Sequence, residues 1–72
     1  MKNTGTTVFT TKSVTLAEKA KRALADNSIS ARIVKLDPAL SPRGCAYGIE
    51  FDSRQRGNVR QILNRNGVPF GE

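Results

Sequence analysis

Residues 41–51 read SPRGCAYGIEF, and the parsing of this stretch decides the fold. Ser41-Pro42-Arg43-Gly44 has the residue preferences of a type I turn, with serine first, proline second and glycine fourth. Behind it, Tyr47, Ile49 and Phe51 alternate with Ala46, Gly48 and Glu50. That is the period-two pattern of a strand with one apolar face. Gly48 in a strand interior permits a close backbone approach or a bulge.

Moving towards higher numbers, Asp52 followed by Gln55 has the form of a helix-capping signal. Val59, Ile62 and Leu63 supply the buried stripe of a helix, and Asn66-Gly67 is a helix stop. Val68-Pro69-Phe70 reads as a last short strand, confined to a sheet edge by its proline. Moving the other way, Asp37 to Gly44 is a loop with two prolines. Ile29 to Leu36 is a further strand, and Asp26-Asn27-Ser28 ends a helix. That helix is expected to start at a Thr15–Glu18 capping box, with Leu16, Ala20, Ala23 and Leu24 as its apolar stripe and Ala17 at the margin. Glu18 and Arg22 are spaced as an i,i+4 ion pair. Thr6 to Thr11 (TTVFTT) is the first strand.

The resulting order is strand, helix, strand, strand, helix, strand. It predicts an α+β, ferredoxin-like βαββαβ sandwich: a four-stranded antiparallel sheet with two helices on one face. The first and third strands would lie in the middle, the second and fourth at the edges. The reading is a single domain over residues 1–72, with a flexible N-terminus at 1–5.

Composition narrows the function. The chain has 72 residues, one cysteine, no histidine and a net charge of +6. A domain this small buries only about 60% of its unfolded surface, so homodimerisation is one expected source of support. One cysteine without histidine leaves no ordinary zinc site, and neither metal nor cofactor is expected. No signal peptide or membrane-length apolar run is visible, and a lone thiol suits a reducing compartment. The expected location is cytoplasmic. The positive balance favours anionic partners such as nucleic acid or an acidic protein surface.

Cys45 is the candidate chemical residue. In the expected topology the third strand starts where the first strand stops and the first helix begins. Cys45 would then sit near Thr10, Thr11, Lys12 and the backbone N–H groups around Ser13, Thr15 and Leu16. A helix N-terminus with Lys12 and Arg43 would favour thiolate over thiol. Strand parity argues the other way. It puts Cys45 on the core face with Tyr47, Ile49 and Phe51, where cysteine is commonly an inert filler.

From Val8-Phe9 to Phe70 the chain resembles a family of small bacterial domains described as selenium/sulfur carrier protein-like. The matching pieces are the opening TVFTTKSVTLAEKAKRAL, the loop ending in Ser41-Pro42-Arg43-Gly44-Cys45, the strand Ala46 to Phe51 and the closing helix to Gly67-Val68. The resemblance centres on Gly44-Cys45-Ala46-Tyr47-Gly48. It implies that Cys45 accepts sulfur or selenium and that Arg43, Gly44 and Gly48 shape its surroundings. It also implies a donor such as a cysteine desulfurase and an acceptor enzyme as partners. The missing histidine counts against an independent cysteine hydrolase, which needs a base, and not against a carrier.

Two other readings compete. One is a basic nucleic-acid-binding module using Arg54, Arg56, Arg60 and Arg65, although Tyr47 and Phe51 fall on the core face and leave no stacking platform. The other is a protein-interaction or regulatory module without chemistry, pairing through an edge strand.

Overall fold

A computed structural model describes residues 5–37, 39 and 45–72. The elements are β1 (Thr6–Thr11), α1 (Val14–Asp26), β2 (Ala31–Lys35), β3 (Tyr47–Asp52), a 3-10 turn (Ser53–Gln55) and α2 (Arg56–Arg65). β3 lies in the middle of the sheet, antiparallel to β1 on one side and to β2 on the other. The register sets Phe9 and Ile33 on either side of Ile49, and Thr11 and Lys35 on either side of Tyr47.

The expected fourth strand, Val68–Phe70, does not form. Among the described residues, one antiparallel bridge stands in its place, with Thr10 donating to the Gly71 carbonyl at 2.8 Å and Gly71 to the Thr10 carbonyl at 2.9 Å. The four-stranded ferredoxin-like expectation is thereby corrected to a three-stranded antiparallel sheet with two helices. The cause is a shortage of donors in that segment. Pro69 has no N–H, and Val68 spends its own on the Leu63 carbonyl at 2.9 Å, so the chain reaches the sheet at Gly71. β1, expected in the middle, has β3 on one side and that bridge on the other.

β2 is also shorter than expected. Ile29 N–H turns back to the Leu24 carbonyl at 2.9 Å and closes the end of α1, which postpones the strand to Ala31. Beyond the strand, Leu36 still donates to Ala46 at 2.8 Å.

The core is built from alternate strand positions and the inner stripes of both helices. Phe9, Ile49 and Phe51 from the sheet join Ala17, Ala20, Ala23 and Leu24 of α1 and Val59, Ile62 and Leu63 of α2. Each large side chain buried this way contributes about 1.5–3 kcal/mol. The stripe of α2 is as read from the sequence. In α1 the centre shifts: Ala17 is fully buried and Leu16 is only partly covered. Phe9 meets Phe51 edge-on, with ring centroids 4.8 Å apart, and stacks on Phe70 at 4.9 Å.

Capping follows local donor geometry. The N-cap of α1 is Ser13, two residues before the expected Thr15, and its hydroxyl accepts from Leu16 N–H at 3.2 Å. Glu18 and Arg22 form no ion pair. Asp52 caps the 3-10 turn, accepting from Arg54 N–H at 2.9 Å, and α2 continues from it. Gly67 takes the left-handed φ of +68° that the helix stop requires, and Ser28 takes +63° at the end of α1.

Candidate functional site

Cys45 lies two residues ahead of β3. Because β1 ends opposite Tyr47, the antiparallel register carries the chain before β3 past the end of β1, towards the start of α1. There Cys45 lines a cavity of about 160 Å³ together with Thr10, Thr11, Lys12, Pro69, Phe70 and Gly71. By this measure roughly 10–15 Å³ holds one water, so a small group fits beside the sulfur.

The residue itself is 4% exposed, in agreement with the parity argument and short of the wet rim that a carrier thiol calls for. Thr11 is equally covered, and its hydroxyl donates to the Ser13 carbonyl at 3.2 Å. Lys12 is exposed and is the one ammonium among the described residues that line the cavity.

The structure thus brings Cys45 together with Thr10, Thr11 and Lys12. Ser13 and Thr15 do not line the cavity. Ser13 is occupied as the α1 cap, and Thr15 is exposed on the first turn of that helix. Arg43 and Gly44, with the whole 41–44 turn, lie outside the described residues, as do residues 1–4 of the expected flexible N-terminus.

Gly48 stands apart from the cavity, in the middle of the sheet. A Cβ there would come within 2.9 Å of both the Phe9 carbonyl oxygen and Val8 Cγ1, so the position requires glycine for strand packing.

The segment after α2 was missed as part of the site. Pro69, Phe70 and Gly71 make one wall of the cavity. Beyond them the Glu72 carboxylate accepts from Arg60 Nε at 2.8 Å and Nη2 at 2.7 Å, and from Arg56 Nη2 at 3.1 Å. These bonds, the Arg60 pair foremost, draw the Glu72 carboxyl down from 4.5 to about 2. The signal was available: a final segment laid beside the first strand must pass the end of that strand where Cys45 arrives.

A larger cavity, about 340 Å³, opens at the opposite end of the sheet beside Thr6, Ala31, Arg32, Glu50 and Asp52. Arg32 Nε there meets Glu50 Oε1 at 2.6 Å, and among the described residues its lining holds no thiol. Among the described residues no group of three or more His, Cys, Asp and Glu could hold a metal ion, and no helix is long and apolar enough to cross a membrane. Phe51 and Phe9 are buried, and Tyr47 is partly buried and packs against the core.

A family model described as "Putative Se/S carrier protein-like" matches residues 6–72. The chain belongs to this family. No curated protein and no solved structure matches it. The match spans every element of this Se/S carrier-like chain, from the start of β1 to Glu72, and so takes in both walls of the Cys45 cavity.

Proposed function

We propose that this protein carries a sulfur or selenium atom on Cys45, taking it from a donor enzyme and passing it to an acceptor. The observation that carries the reading is the cavity beside Cys45, in a chain whose family is described as Se/S carrier-like.

The transfer needs few groups. The Cys45 thiolate attacks the outer sulfur of a donor persulfide, R–S–SH. A new S–S bond forms on Cys45 as the donor's S–S bond breaks, and the electron pair leaves on the donor thiolate. The proton stays with the transferred sulfur, so the carrier becomes Cys45–S–SH with no net oxidation. The same exchange with a perselenide, R–S–SeH, loads selenium. Thiolate population and access govern the rate of such exchange. Lys12 lines the same cavity as Cys45 and is assigned with it to the site. Arg43 and Gly44, the two residues before Cys45 in the chain, are assigned to the partner contact. With no histidine in the sequence, the donor and acceptor enzymes supply acid and base.

The test is intact-mass analysis after incubation with a cysteine desulfurase and cysteine. The expected result is a gain of one sulfur atom, mapped to Cys45 and absent from Cys45→Ser. A fully reduced, unmodified chain alongside an actively turning-over desulfurase would overturn the reading.

A further inference from the structure

The two walls around Cys45 are built to different strengths. Thr10, Thr11 and Lys12 continue from β1, whose pairing with β3 runs in register through Thr11. Pro69, Phe70 and Gly71 belong to no helix or strand, and among the described residues they join the sheet through the Gly71–Thr10 bridge.

That second wall is held at both ends by unlike contacts. At one end Val68 is 2% exposed in the core and donates to Leu63 at 2.9 Å. At the other, Glu72 is held by Arg56 and Arg60, whose side chains are 53% and 44% exposed. Ion pairs so open to water hold weakly and are screened by salt. Between the ends, Phe70 is partly exposed and stacks on Phe9. Segments with few buried apolar contacts and solvent-facing hydrogen bonds are the first to open locally.

We propose that Phe70–Glu72 is a strap that lifts about Val68 to uncover Cys45, and that the Glu72 clasp on Arg56 and Arg60 sets how often it is open. The strap supplies the access that a 4% exposed residue lacks. Its purpose rests on the carrier reading, while the opening itself does not. Pro69 stiffens the link to Val68, so the strap moves as a unit rather than fraying residue by residue.

The test is the alkylation rate of Cys45 in the native protein with iodoacetamide, an uncharged reagent. With one cysteine in the chain, every adduct reports this site. Glu72→Gln is expected to raise the rate about two- to fivefold, as befits the loss of an exposed ion pair. Phe70→Ala, which leaves the charge unchanged, is expected to raise it too. Added salt should speed labelling of the parent and not of Glu72→Gln. Ile33→Ala, a core-packing change on β2 at the sheet edge away from the strap, distinguishes global unfolding. It should lower the thermal midpoint and leave labelling unchanged. Equal rates for the parent and Glu72→Gln would overturn the proposal, as would a rate that rises with Ile33→Ala. No sulfur donor is involved, so failed sulfur loading with the expected labelling pattern would remove the carrier reading and leave the strap.

Discussion

Gly48 and Phe9 meet at the backbone: a Cβ on Gly48 would stand 2.9 Å from the Phe9 carbonyl oxygen. Val8 Cγ1 is equally near, and Leu36 Cδ1 is 3.3 Å away, so a side chain of β1 and one just past the end of β2 close over this position. Gly48→Ala is expected to push β1 away from β3 and cost about 1–3 kcal/mol, the usual range for overpacking. For a domain of this size each kcal/mol moves the thermal midpoint by roughly 4–8 °C. A melting curve that overlays the parent's would show that β1 can shift without penalty.

Ser13 and Thr15 separate two readings of the first helix. The hydroxyl that receives Leu16 N–H belongs to Ser13. Ser13→Ala should therefore destabilise by about 1 kcal/mol, whereas Thr15→Ala at an exposed position should stay within about 0.5 kcal/mol of the parent. Urea unfolding of the two variants side by side checks the difference, and the reverse ranking would return the cap to Thr15.

Ser28 holds a φ of +63° at the exit from α1, a conformation that costs an L-residue energy and glycine almost none. After allowing for the extra freedom glycine has when unfolded, Ser28→Gly is expected to stabilise by about 0.5–1 kcal/mol. A higher urea midpoint at unchanged slope would bear this out.

Acid should loosen the two carboxylate contacts. The Arg60 and Arg56 hydrogen bonds lower the Glu72 carboxyl from 4.5 to about 2, and the Arg54 side chain lowers Asp52. A carboxyl whose pKa falls on folding contributes fully above its unfolded value and loses that contribution as pH drops through the folded one. For Glu72 the decline should run from about pH 4.5 down to about pH 2. Thermal midpoints recorded across that window should fall more steeply for the parent than for Glu72→Gln.

Most of the fold was legible because it rests on periodicity. The alternation of Tyr47, Ile49 and Phe51 and the spacing of Val59, Ile62 and Leu63 report directly which side is buried. The stop at Gly67 was legible for a similar reason, since few residues accept its φ. The fourth strand failed because three residues with one proline carry too little pattern to say whether their donors meet a neighbour or a helix end. The cap moved to Ser13 because its hydroxyl can also receive a first-turn N–H without a glutamate three residues on, and geometry chose it over Thr15. At the candidate site, parity anticipated the burial of Cys45, and topology brought it to Thr10, Thr11 and Lys12. The wall from Pro69 to Gly71 was legible in its placement beside β1 and not in its tethering, which depends on how a segment without secondary structure is held by Thr10 and Glu72.

β2 pairs with β3 along one side, and its five residues carry Arg32, which meets Glu50 of β3, and Lys35. In a molecule of net charge +6, two copies approaching along that side repel before their amides can align. The safeguard is colloidal and belongs to dilute buffer. In about 1 M salt the repulsion reaches roughly 3 Å, and the main chain there becomes a template on which concentrated protein can stack.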